Sequence, residues 1–249
     1  MIISSVWANA VRLCTRLILC LFLTSTVSAG EPLRIAVAAN FKPVLEQLVA
    51  AYDDDADITL SPGSTGALYA QIQNGAPFDI FFAADKQRPE RLDSARFSRK
   101  RQTYAFGRLA FWQPMNQATN TSSLTSYRSS IAIANPRHAP YGIAATEVLT
   151  HLGIKDLRLI NGSNIAQTYT FVHTGNVPAG LVALSQLIMT GEKKETYWII
   201  PDDYHNAIEQ QLVILETADK RAEQFVAFLD TTRARSIMID AGYRLPEPR

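Results

Sequence analysis

Several segments of this sequence place small, amide or hydroxyl-bearing residues where a helix is expected to begin: Ala39-Asn40, Gly63-Ser64-Thr65-Gly66, Pro140-Tyr141-Gly142 and Ser163-Asn164. The first turn of a helix holds N–H groups without intrahelical partners and the positive end of the helix dipole, so such a mouth binds anions readily. One Ser-Thr pair at a helix start is ordinary capping. Four mouths of the same kind in one chain point to a site made of backbone and neutral side-chain donors.

The elements that must position these mouths follow from apolar patterning. Runs with strand character recur at Ile35–Ala39, Ile58–Leu60, Ile80–Ala84, Leu109–Trp112, Ile131–Ala134, Leu181–Leu184 and Leu212–Leu215, with periodic segments between many of them. That alternation predicts an α/β protein with largely parallel sheets. Val44, Leu45, Leu48, Val49 and Tyr52 repeat at helical spacing, which predicts a helix starting at Asn40 with Pro43 in its first turn. A second helix begins just beyond Gly63-Ser64-Thr65-Gly66, with Ser64 or Thr65 as its cap, and stops at Asn74-Gly75. Further helices are expected from Pro140-Tyr141-Gly142 to about Leu152, from Ser163-Asn164 to about Thr174-Gly175, near Lys220–Leu229 and over Thr232–Ala241. The polar stretch Asn116–Ser130 reads as a surface loop. In open α/β sheets a ligand sits beyond the carboxyl ends of the strands, which is where Ala39-Asn40 and Ser64-Thr65 fall.

The N-terminus reads as a secretory signal: Arg12 and Arg16, the apolar run Leu17–Leu23, then Val27-Ser28-Ala29. The run is short of the ~20 residues that cross a bilayer, and Cys20 follows the bulky Leu19, against lipid attachment. Cleavage is expected after Ala29, giving residues 1–29 as signal and a periplasmic product. Both cysteines, Cys14 and Cys20, lie in that signal, so the exported chain keeps no disulfide. The signal holds two of the 24 basic residues and none of the 23 acidic ones, leaving a net charge of −1. Nothing in that balance suggests a nucleic-acid partner.

Longer stretches resemble the periplasmic molybdate-binding proteins of ABC transporters. They are Ala38–Phe41, Gly63–Ile72 with Asn74–Asp79 and Phe81–Asp85, Ile133–Pro136 with Ala139–Gly142, and Gly175–Gln186. The resemblance implies a type II periplasmic-binding fold: two α/β lobes joined by two crossover strands near Tyr104 and Tyr204, closing on a ligand in the cleft. Residues 30–104 with 205–249 would form lobe 1 and residues 105–204 lobe 2. It also implies a tetrahedral oxyanion ligand, molybdate or tungstate, held by Asn40 with Ala39, by Ser64 and Thr65, by Tyr141 in the Ala139–Tyr141 turn and by the backbone of Ile165. No cofactor and no directly bound metal are expected, because the metal arrives inside the oxyanion. The implied partner is the membrane permease of an ABC transporter, served by a monomeric carrier. The chain departs from the best-known members at Ala183, where they carry a tyrosine, and Tyr141 is the expected substitute.

An enzyme is the main competing class, with a hydrolase using Ser64 or Thr65 as nucleophile its most concrete form. It would need an activating base, yet His138, His151, His173 and His205 are dispersed. Asp79 and Asp85 would repel an anion and read as turn or capping residues. A binding protein for sulfate, phosphate or chromate is the other alternative. A site of donors alone favours a fully ionised oxyanion over one whose proton needs an acceptor.

Overall fold

The computed structural model describes residues 31–52 and 57–247; the expected signal segment lies outside the described residues. The strands are β1 Leu33–Ala38, β2 Ile58–Gly63, β3 Ile80–Phe82, β4 Ser98–Gly107, β5 Leu109–Trp112, β6 Ile131–Ala134, β7 Leu159–Gly162, β8 Gly180–Ala183, β9 Tyr197–Ile199 and β10 Ile208–Leu215. The helices are α1 Lys42–Ala51, α2 Thr65–Gln73, α3 Gln87–Ser94, α4 Thr121–Thr125, α5 Pro140–His151, α6 Ile165–His173, α7 Leu184–Met189, α8 Arg221–Phe228 and α9 Thr232–Asp240.

The strands form two five-stranded sheets, ordered β2-β1-β3-β10-β4 and β7-β6-β8-β5-β9. In the first, β1 runs parallel to β2 and β3, whereas β10 is antiparallel to β3 and β4. In the second, β6 runs parallel to β7 and β8, whereas β5 is antiparallel to β8 and β9. The sheets are therefore mixed, which corrects the expectation of largely parallel ones. The exceptions are β10 and β5, the strands by which the chain arrives from the other sheet. The chain leaves β4 at Gly107 and enters β5 at Leu109, then returns between Ile199 and Ile208.

Three edge strands were not expected: β4, β7 and β9. In β4 and β7 part of the surface faces water and the sequence mixes apolar with polar residues, whereas β9, Tyr197-Trp198-Ile199, is apolar but only three residues long. The Asn116–Ser130 stretch likewise contains the short helix α4, started by Asn120, whose side chain accepts from the Ser123 N–H.

Helix α1 begins at Lys42, not at Asn40, and its N-cap Phe41 makes no side-chain capping bond. Asn40 is buried and its carboxamide is engaged elsewhere, so it is unavailable as a cap. Phe41 explains the shift. Its ring packs against Phe82 at 5.5 Å, Tyr104 at 4.7 Å and Tyr243 at 5.4 Å between centroids. These contacts join β3, β4 and the C-terminal segment around the turn that leads out of β1. The burial of Phe41 thus fixes both the helix start and the neighbouring Asn40. Phe41→Ala should lower the unfolding free energy by about 3–5 kcal/mol, the usual cost of emptying a buried aromatic site; urea denaturation of the anion-free protein measures it.

Candidate anion-binding site

The carboxyl ends of β1 and β2 and the starts of α2, α5 and α6 meet around a cavity of about 10 Å³, room for the centre of one small body. Ala39, Asn40, Ser64, Thr65, Tyr141 and Ile165 all line it, and no Lys, Arg, Asp or Glu does. The first four come from one sheet's connections and the last two from the other's. Ala38, Ala39 and Ala84 of one side share a buried apolar cluster with Ala139, Tyr141 and Ile165 of the other.

Each mouth disposes of its N–H groups differently. At α2, Ser64 is the N-cap, with its Oγ accepting from the Ala67 N–H at 3.3 Å. The Gly66 N–H donates to the His138 carbonyl at 2.9 Å, leaving the Thr65 N–H facing the cavity end of the helix. The Thr65 hydroxyl accepts from the Ala84 N–H at 3.0 Å, so its own hydrogen is free to donate. At α5, Pro140 has no N–H and Gly142 donates to the Ala139 carbonyl, which leaves Tyr141. At α6, the N-cap Asn164 takes the Gln167 N–H at 2.9 Å, which leaves Ile165 and Ala166. The mouths thus present donors from Thr65, Tyr141 and Ile165 in one place.

Behind them lies a buried polar chain that sequence patterning did not reveal. Asn40 Nδ2 donates to Gln210 Oε1 at 2.9 Å and to the Tyr243 hydroxyl at 3.0 Å. Tyr243 donates to the Asn40 carbonyl at 3.0 Å and lies 3.0 Å from Ser185 Oγ. Gln210 also receives the Tyr104 hydroxyl at 2.8 Å and donates from Nε2 to the Tyr141 hydroxyl at 3.2 Å. Of the side-chain polar atoms in this polar chain, only Asn40 Oδ1 is buried without a partner. Turning the Asn40 and Gln210 carboxamides together reverses the bonds among Asn40, Gln210, Tyr104 and Tyr141, while Tyr243 moves its single hydrogen from the Asn40 carbonyl to the Asn40 carboxamide oxygen and leaves that carbonyl to the Ser185 hydroxyl at 3.4 Å. Tyr141 then donates to Gln210, and Asn40 presents an N–H where Oδ1 stood. In either direction the chain keeps one hydrogen to give, from Tyr141 or from Asn40.

The phenols in this chain stay neutral. Burial, with Tyr243 close by, pushes the Tyr141 hydroxyl well above the usual tyrosine range. Burial does the same to Tyr104, and it raises Tyr243 to about 12 against the opposing bond from Ser185. Tyr141 reaches Gln210 because position 107 is glycine: a β-carbon there would stand 2.2 Å from the phenol oxygen and 2.5 Å from Gln210 Nε2. A sequence signal existed for Gln210 and Gln211, as polar residues leading into the apolar run Leu212–Leu215.

Ala183 is fully buried and offers no hydroxyl. The neighbouring Gln186 accepts from the Ala183 N–H at 3.3 Å and donates to the Ile165 carbonyl at 3.2 Å, steadying the α6 mouth.

A larger cavity of about 130 Å³ adjoins the site, lined by Asp85, Glu147 and Glu209 with Lys86. Its carboxylates oppose an anion, so the smaller cavity is the better candidate. Asp85 accepts from the Arg88 N–H and pairs with its guanidinium, and Asp79 accepts from the Arg34 and Asp219 N–H groups, as turn and capping residues do. None of the four histidines lines the small cavity. His173 stands beside Tyr169 and Glu192, His151 stacks on Tyr204, and His205 Nδ1 contacts the Asn206 carbonyl. Among the described residues no group of three His, Cys, Asp or Glu could hold a metal ion.

Comparison with known proteins agrees with this architecture. Residues 33–244 match the family model of bacterial extracellular solute-binding proteins. The molybdate-binding protein ModA of Rhodobacter capsulatus is 35% identical over 92% of this chain and 94% of its own length. The solved periplasmic molybdate-binding protein of Azotobacter vinelandii is 36% identical, with a TM-score of 0.81, over 86% of this chain and 100% of that one. A sulfate-binding protein of Mycobacterium tuberculosis shares the fold at a TM-score of 0.71 with 12% identity, over 87% of this chain and 88% of that one. The two mixed sheets, the cavity where their helix mouths meet and the match over nearly the whole described chain lead to one conclusion: this protein belongs to the bacterial extracellular solute-binding protein family.

Proposed function

We propose that this protein is an exported carrier that captures molybdate or tungstate in the small cavity and delivers it, unchanged, to the membrane permease of an ABC transporter. One observation carries the reading: donors of two helix-bearing sheets converge on a cavity lined by no charged side chain. A dianion transferred there exchanges its water shell for fixed N–H and O–H dipoles, and a hydrogen bond to a charged partner contributes about 1.5–3 kcal/mol. Neutral donors serve a fully ionised oxyanion best, because a proton on the ligand would need an acceptor. The likeness to the Rhodobacter and Azotobacter molybdate-binding proteins supports that anion class, whereas the fold by itself serves a sulfate carrier equally well.

In this reading the signal is cleaved after Ala29 and the carrier works in the periplasm as a monomer. Its lobes are residues 30–104 with 205–249 and residues 105–204. The ligand contacts are Asn40, Ala39, Ser64, Thr65, Tyr141 and the backbone of Ile165. Tyr141, in the orientation described, takes the place of a hydroxyl at position 183, because its oxygen already accepts from Gln210 and its hydrogen is free.

Calorimetry of the anion-stripped protein should give molybdate and tungstate affinities at least tenfold above sulfate and phosphate, a margin of about 1.4 kcal/mol. Equal affinity for sulfate would defeat the choice of ligand. Thr65→Ala and Asn40→Ala should each weaken molybdate binding by about 1–3 kcal/mol, the cost of leaving part of a buried anion unpartnered. Wild-type affinity in both, with folding intact by circular dichroism, would put the site elsewhere. Tyr141→Phe separates the phenol hydrogen from the ring: a loss of about 1–3 kcal/mol assigns the donor to Tyr141, and no loss leaves it with Asn40.

A further inference from the structure

The hydrogen bond from the Gly66 N–H to the His138 carbonyl joins the two halves of the molecule directly beside the cavity. Gly66 is the second residue of α2, next to Thr65, and His138 precedes Ala139, the N-cap of α5. Donor and acceptor are both rigidly presented. The Ser64 cap fixes the start of α2. The His138 turn is tied to Asn135, whose carbonyl accepts from the His138 N–H at 3.1 Å and the Ala139 N–H at 2.9 Å. Asn135 Oδ1 adds a bond from the Arg137 N–H at 3.0 Å. The carbonyl also meets the positive end of the α2 dipole, a favourable orientation.

The approach depends on a missing side chain. A β-carbon at position 66 would lie 3.1 Å from both the α-carbon and the carbonyl oxygen of His138. Both atoms are backbone of a turn held by three hydrogen bonds, so they cannot swing aside as a side chain would. It would also lie 3.1 Å from an Arg88 guanidinium nitrogen, which can move. Relief must come from parting α2 and the His138 turn by a few tenths of an ångström. That movement lengthens the hydrogen bond and separates Thr65 from Tyr141.

We infer that Gly66 is the positioning residue for closure: its N–H clasps the His138 carbonyl of the opposite lobe, and its lack of a β-carbon lets the lobes come near enough to surround the anion. The inference rests on the binding reading given above. The first turn of α2 divides its donors between the ligand, through Thr65, and the other lobe, through Gly66. Occupation of the cavity and closure of the cleft are thereby tied to one helix end. A residue needed only for folding would act otherwise, because alanine is a better helix residue than glycine.

The test compares wild type, Gly66→Ala and Gln71→Ala, the last on the exposed face of α2. Three quantities are read: molybdate affinity, the melting temperature without anion, and the distance between spin labels at Gln73→Cys and Thr150→Cys with and without molybdate. The natural cysteines, Cys14 and Cys20, precede the expected cleavage point, so the exported chain carries only the introduced pair. Gly66→Ala should weaken molybdate about tenfold, as a tenfold fall in the closed population does, while its melting temperature holds or rises and its label distances lengthen. Gln71→Ala should match wild type in affinity. Unchanged affinity in Gly66→Ala overturns the clasp, as do unchanged distances, and so does weaker binding that comes with a lower melting temperature. If wild type binds no molybdate, the ligand assignment falls and the distances alone judge the clasp: longer ones in Gly66→Ala uphold it, unchanged ones overturn it.

Discussion

A helix whose first turn is buried must find partners for N–H groups that no residue of the helix can satisfy. This protein brings three such turns, those of α2, α5 and α6, to one small cavity. Some of their donors are consumed locally, by Ser64 and Asn164 as caps and by the Ala139 carbonyl. The remainder, from Thr65, Tyr141 and Ile165, face a common space. The backbone there is underpartnered by construction, and an anion is the kind of ligand that completes it. Much of the tertiary structure serves to hold these ends in register across two sheets.

That register is maintained from behind by neutral groups. Gln210 lies on β10, one of the strands that connect the halves, and it bonds to Asn40, Tyr104 and Tyr141 together. Tyr243, far along the chain, holds both the backbone and the side chain of Asn40. Every member of the chain is a carboxamide or a hydroxyl. Burial keeps the phenols protonated, so the support carries no charge that a nearby anion would perturb. A buried network of this kind is stable only when nearly all of its members are satisfied. Asn40 Oδ1, its one unpartnered atom, belongs to a residue that lines the cavity.

Charge is kept to the neighbourhood of the site. Asp85 is turned toward Arg88, and Glu209 toward Lys86, Thr103 and Gln211. Hydrogen bonds from Thr103, Lys86 and Gln211 outweigh burial and hold the Glu209 carboxyl below its usual range. The acidic groups around the adjoining cavity are thus largely committed, and the small cavity keeps a purely dipolar wall. No charged side chain lines the small cavity, so no fixed charge is present there to attract anions indiscriminately.

The sequence by itself determined the α/β class, most of the buried strands and the identity of the mouths. A strand covered on both faces is a continuous apolar run, as Leu109–Trp112 and Ile131–Ala134 are, and a helix start needs small capping residues wherever it lies. Ser64, Thr65 and Tyr141 sit at such starts, whereas the backbone of Ile165 was named only by what the resemblance implies. The edge strands β4 and β7 escaped notice because a half-exposed strand has no such run, and β9 because its apolar run is only three residues long. Asn40 looked like a cap, and only the packing of Phe41 against Phe82, Tyr104 and Tyr243 moved the helix start past it and turned its amide inward. The bonds made by Gln210 and Tyr243, and the Gly66–His138 bond, were equally beyond local reading. Their partners are separated by 170 and 203 residues in the first two cases and belong to the other sheet's connections in the third. Local patterning reports what a residue does to its own turn of chain; which distant group fills the space beside it is decided when the two sheets come together.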